Sequence, residues 1–147
     1  MLCLNSCNGN KNGATQDNGE IDSAAVTENG SKEEKLPYEI KDNLIYNESV
    51  PVIVDFYADW CGPCKQYAPV FHNVAEKFKD SICFVSLDSE QYPELCKTYK
   101  ISAIPTTVFL LPGGGVLGIE TGVLTEQQLE MYARQLLETA DGANMSL

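Results

Sequence analysis

The sequence predicts an α/β domain: a central mixed sheet of four to five strands with helices on both faces. Three observations predict it. Residues 52–57, Val-Ile-Val-Asp-Phe-Tyr, form an apolar run short enough for a buried strand and stop just before Cys61. Residues 61–78 read as a helix, with Val70, Phe71, Val74 and Phe78 on one apolar stripe. Two later apolar runs, 106–111 and 115–121, are joined by the turn Pro112-Gly113-Gly114. A strand–helix–strand unit followed by a strand–strand–helix unit buries both sheet faces.

The remaining elements follow in order. A short helix is expected over residues 37–45, ahead of a strand at 50–57. After the long helix come a strand at 82–88 and a short helix at 92–99. Thr125 with Gln128 three residues on reads as a capping box, opening a last helix that runs to about 139. The chain has 147 residues, enough for one domain with a sizeable core. Residues 1–35 differ: rich in Asn, Gly, Ser and Glu, they cannot bury enough apolar surface to offset their ordering entropy. They read as a polar tail or tether, with the folded domain at 36–147.

Net charge is −11, spread without a block. Residues 1–35 carry six acids and three lysines, a net −3; the rest carries −8. No basic stripe is present, so nucleic acid is not an expected partner.

The chemistry is concentrated in Trp60-Cys61-Gly62-Pro63-Cys64-Lys65. A Cys-x-x-Cys pair between a strand and a helix is a redox signature. The thiolate is the nucleophile in disulfide exchange, and the free N–H groups at a helix start favour an anion. Cys61 is therefore expected to attack and Cys64, one turn further in, to resolve the mixed disulfide. Pro63 suits the first helical turn, and Gly62 lets a substrate backbone approach. Trp60 offers a flat apolar surface beside the nucleophile. Asp55 interrupts an apolar strand, where a charge is expensive and the carboxyl pKa should rise. It lies six residues before Cys61, compatible with a place beneath the disulfide, where it could take the Cys64 proton through a water. A carboxylate satisfied by backbone amides is the alternative.

Val54-Asp55-Phe56-Tyr57-Ala58-Asp59-Trp60-Cys61-Gly62-Pro63-Cys64-Lys65 resembles the thioredoxin family. So does Ile101-Ser102-Ala103-Ile104-Pro105-Thr106, with Pro105 following Cys61 by 44 positions. The resemblance covers residues 36–140 and implies the thioredoxin fold. It implies a cis Ile104–Pro105 bond, with Pro105 packed on the sulfurs and the Ile104 backbone pairing with substrate. It places Gly122 in a loop lining the substrate groove, and Pro69 where the family has a helix-kinking proline. It implies a protein-disulfide reductase with no bound cofactor and no metal. Its partners would be disulfide-containing proteins and an electron donor, either a thioredoxin reductase or a membrane thiol carrier. A monomer is expected.

Three departures stand out. Ser86 occupies the position of a lysine that many family members place beside the buried aspartate. Tyr57 stands where Trp is usual. The family's first strand has only residues 21–26 as an apolar candidate. Cys83 and Cys96 read as buried structural thiols in regular elements, ill-placed to converge on a zinc ion. His72 reads as a surface residue.

Leu4-Asn5-Ser6-Cys7 resembles the end of a bacterial lipoprotein signal, although no charged or apolar region precedes it. The expected location is the periplasm, with a lipid tether at Cys7; the alternative is the cytoplasm. Two other functions stay open: a periplasmic disulfide oxidase or isomerase, and a non-catalytic binding subunit.

Overall fold

The computed structural model describes residues 37–145. The readings made for Cys3, Cys7, the tail at 1–35 and the strand at 21–26 lie outside the described residues.

Among the described residues, six strands and three helices follow one another: β1 (Glu39–Lys41), β2 (Leu44–Tyr46), β3 (Val52–Tyr57), α1 (Gly62–Phe78), β4 (Cys83–Asp88), α2 (Pro93–Thr98), β5 (Thr106–Leu110), β6 (Val116–Thr121) and α3 (Glu126–Met145). The main sheet has the order β4-β3-β5-β6. β3 and β4 run parallel across the α1 connection, while β5 and β6 are antiparallel additions.

β3 is buried on both faces, and its alternate residues separate two cores. Val52, Val54 and Phe56 face α2 and the first hairpin, packing with Val85, Leu95, Tyr99 and Ile45. Ile53 faces α1 and α3, packing with Tyr67, Phe71, Phe84, Phe109 and Leu129. The α1 stripe expected from sequence faces this second core, with Phe71 and Val74 buried and Val70 and Phe78 packed against it.

The short helix expected over residues 37–45 is not formed. The chain makes the hairpin β1–β2 there, pairing Glu39 with Tyr46 and Lys41 with Leu44. Its turn explains why. Asp42 and Asn43 both take positive φ, 54° and 61°, as a two-residue type I′ turn requires, and these residue types tolerate that region best after glycine. Ile45 then drops into the core, and its N–H donates to the Tyr99 hydroxyl at 2.9 Å.

The last helix starts as expected but runs past 139 to Met145. Its capping box is reciprocal: Gln128 N–H donates to Thr125 Oγ1 at 3.1 Å, and Thr125 N–H to Gln128 Oε1 at 2.9 Å. No helix of the described residues is long and apolar enough to cross a membrane.

Candidate functional site

The sheet topology gathers the site at one end. β3 delivers its C-terminus there, and antiparallel pairing brings the start of β5 and the end of β6 beside it, with Phe56 opposite Thr106 and Thr106 opposite Thr121. Three loops therefore meet: Ala58–Cys61, the Ser102–Pro105 approach to β5, and Gly122.

Cys61 is the N-cap of α1, in extended conformation (φ −87°, ψ 112°). Its sulfur receives the N–H of Cys64 at 3.2 Å, so a helix-start donor that needs a partner points at the reacting atom. Pro63 fits the first turn, where its missing N–H costs nothing. No acidic residue lies in that turn to oppose a negative sulfur. Cys61 and Cys64 are joined as a disulfide, with Cα atoms 5.3 Å apart, inside the ordinary range.

The opposite wall is the loop before β5. The Ile104–Pro105 bond is cis, as the resemblance implied. The carbonyl oxygen of Ile104 lies 3.9 Å from Cys61 Sγ. Two hydrogen bonds hold this loop in place: Thr106 Oγ1–H donates to the Ala103 carbonyl at 2.6 Å, and Gly122 N–H donates to the Pro105 carbonyl at 2.8 Å. Gly122 has φ +105°, a conformation that glycine adopts freely and other residues rarely do.

Between the walls lies an open groove of about 490 Å³, lined by Trp60, Cys61, Gly62, Pro63 and Ile104 together with Cys96, Ser102 and Ala103. Trp60 is 68% exposed, and its indole N–H donates to the Glu90 carboxylate. An exposed aromatic ring beside a cleft rimmed by small residues suits an extended peptide segment.

Asp55 is 3% exposed on the α1 face of β3. Its Oδ1 is buried without a hydrogen-bond partner. Burial alone pushes the carboxyl pKa up to about 7. The alternative of a carboxylate satisfied by backbone amides therefore fails for that oxygen. Ser86 stands directly opposite Asp55 on β4, at the position expected, and supplies a hydroxyl and no cation.

The structure gathers Trp60, Cys61, Gly62, Pro63 and Ile104 around the groove, with Cys64 bonded to Cys61, Pro105 joined to Gly122 by a hydrogen bond, and Asp55 on β3. His72 is exposed on α1. Cys83 is buried in β4, as expected. Cys96 departs from its reading as a core thiol. It is only half-buried and lines the groove, with Cys96 Sγ 3.7 Å from the Ser89 carbonyl oxygen, and partial burial raises its pKa. Sequence reasoning also passed over Tyr67 and Thr107, two buried polar residues next to Asp55; the spacing of Tyr67, one turn after Cys64, was the available signal. Among the described residues, no three His, Cys, Asp or Glu side chains gather into a metal-binding group.

The thioredoxin family model matches residues 34–135. The chain belongs to the thioredoxin family. Among its relatives, chloroplastic thioredoxin Y1 of Arabidopsis thaliana is 40% identical over 95 residues, covering 65% of this chain and 55% of that one. Chloroplastic M-type thioredoxin of Chlamydomonas reinhardtii is 42% identical over 94 residues, covering 61% and 66%. Among solved structures, oxidised mitochondrial thioredoxin 3 of Saccharomyces cerevisiae aligns with a TM-score of 0.55 at 30% identity, over 60% of this chain and 81% of that one. The match covers 43–58% of the first curated thioredoxins' own lengths.

Proposed function

We infer that this chain is a thiol–disulfide oxidoreductase that reduces disulfides in other proteins. The observation that carries this reading is the Cys61 sulfur, seated at the start of α1 with the Cys64 N–H aimed at it. In the reduced protein that arrangement favours the thiolate over the thiol. The Cys61 thiolate attacks one sulfur of a substrate disulfide, forming a mixed disulfide and releasing the other sulfur as a thiolate that takes up a proton. Asp55, ionised in a fraction of molecules at neutral pH, accepts the Cys64 proton through a water. The Cys64 thiolate then attacks Cys61, closes the Cys61–Cys64 bond and expels the second substrate thiol. Two electrons pass from the protein to the substrate.

Trp60, Gly62, Pro63 and the Ile104–Pro105 segment hold the substrate strand, with Gly122 behind them. No bound cofactor is needed, only an electron donor: a flavin-dependent thioredoxin reductase, or a membrane thiol carrier if the protein is exported. A monomer with a tail at 1–35 ahead of the domain fits this reading. Lipid tethering at Cys7 and a periplasmic location rest on the Leu4-Asn5-Ser6-Cys7 likeness. Several relatives carry chloroplastic or mitochondrial names and lend the periplasm no support, whereas the cytoplasm is not contradicted.

The reduction potential of the Cys61–Cys64 couple, measured against thiol/disulfide buffers, tests this function. A value near the roughly −270 mV of thioredoxin is expected. A value of about −120 to −180 mV would instead make the protein an oxidase or isomerase. Full biological activity of a Cys61→Ser/Cys64→Ser double variant would make it a non-catalytic binding subunit.

A further inference from the structure

One rung of the main sheet is polar from edge to edge. Ser86 of β4, Asp55 of β3, Thr107 of β5 and Glu120 of β6 stand side by side in register. Alternation turns them toward the α1 face, the side on which Ile53, Phe84 and Phe109 pack with Tyr67. Tyr67 reaches this level from α1, three residues after Cys64 and so on the same side of the helix. It is completely buried, and its Oη lies 2.8 Å from Thr107 Oγ1.

Disulfide exchange alone gives no reason for this hydroxyl pair. Phe and Val would fill the same space with no polar atom to satisfy, at little or no cost in stability. The pair has another property. Two hydroxyls carry two hydrogens, and their mutual bond uses one, whichever group donates. The second hydrogen is free to turn toward negative charge. The cross-strand neighbour of Thr107 is Asp55, whose buried Oδ1 has no hydrogen-bond partner. Of the elements packed around Asp55, β4 brings Ser86, β5 brings Thr107, and α1 brings Tyr67; none is a cation. One strand further out, Glu120 of β6 faces Tyr132 of α3, again without a cation. Burial, with the charge of Asp55 adding to it, outweighs the Thr107 hydrogen bond and keeps the Tyr67 phenol protonated. The hydroxyl therefore stays a donor at any pH where the exchange runs.

We propose that Tyr67 and Thr107 are positioning residues for the acid–base step, their hydroxyl pair directing a dipole at Asp55 that favours its carboxylate, the form that accepts the Cys64 proton. This rests on the proton-acceptor role inferred above for Asp55. It supplies by a neutral dipole part of what a cation at position 86 would supply by charge.

The test uses the full chain with ¹³C-labelled aspartate. The Asp55 carboxyl carbon is titrated by NMR in the wild type, Tyr67→Phe, Thr107→Ser and a Tyr67→Phe/Thr107→Val double variant. The pH profile of the resolving step is followed in parallel, as the rate at which Cys64 expels an aromatic thiol from a mixed disulfide on Cys61. The double variant replaces both partners by apolar groups of similar shape and should fold. Its Asp55 midpoint is expected to rise by about half a pH unit or more, because the charged form has lost a dipole. The pH profile should move the same way. Tyr67→Phe should shift in the same direction, and Thr107→Ser, which keeps the hydroxyl, should stay at the wild-type midpoint. An unchanged midpoint in both Tyr67→Phe and the double variant, while Asp55→Asn still slows the resolving step, would overturn the proposal and leave the role of Asp55 standing. A resolving step unaltered by Asp55→Asn would instead overturn the role of Asp55 itself.

Discussion

The two faces of β3 are built by neighbouring residues of one strand, yet they do opposite work. On the α2 side, Val52, Val54 and Phe56 pack with aliphatic side chains, tyrosines and cysteines. On the α1 side, Ile53 belongs to an equally apolar core, but two residues on stands the buried carboxyl of Asp55. One face gains stability from complete burial. The other gives some up, because an ionised carboxyl is held away from water where no cation compensates it. The strand therefore places its electrostatic cost at the end where α1 begins and the sulfurs react.

Substitutions on the two faces should respond differently to pH. The largest expected effect is Phe56→Ala, which opens a cavity in the apolar core and should cost about 3–5 kcal/mol. Urea unfolding should give the same loss at pH 5 and pH 9, since Phe56 lies on the opposite face of β3 from Asp55, the buried group that titrates in that range. Loss of that constancy would break the distinction between the faces.

Asp55→Asn should do the reverse. The folded carboxyl pKa of about 7 lies above the ordinary value of 3.8. The native state therefore holds this proton more tightly than the unfolded chain. Its contribution is complete below pH 3.8 and is lost as pH rises through about 7. Relative to wild type, the Asn variant should gain stability between these values and level off above them. A shift of that size corresponds to about 4 kcal/mol. Unfolding midpoints of both proteins from pH 4 to pH 9 would show it, and parallel curves would mean that Asp55 is not desolvated as described.

The smallest expected effect sharpens the apolar side. Tyr99→Phe removes the hydroxyl that receives the Ile45 N–H and should cost about 1 kcal/mol. Hydrogen exchange should register it first in β1–β2, leaving the reduction potential unchanged.

Much of this arrangement was legible in the sequence because its signals are local. Strand, Cys-x-x-Cys and helix are contiguous, and the Thr125–Gln128 box announces its own helix. Asp55 stood out because a lone acid in an apolar strand has few inexpensive places to go. The hairpin at 39–46 was missed because its decisive signal is two residues, Asp42 and Asn43, between apolar runs too short to declare a period. Tyr67 and Thr107 were missed for a different reason. They are 40 positions apart, and nothing in either neighbourhood says that their hydroxyls meet. Cys96 was misjudged because a short helix does not reveal which of its sides a distant loop will leave open.

The indole of Trp60 has a practical consequence. It is the single tryptophan of the chain, it borders the groove, and its indole N–H is tied to Glu90. The protein thus carries one built-in fluorophore at the spot where its oxidation state changes and where the substrate strand proposed above would bind. Emission from an unlabelled sample should report both events, and stopped-flow traces can time them separately in the native chain.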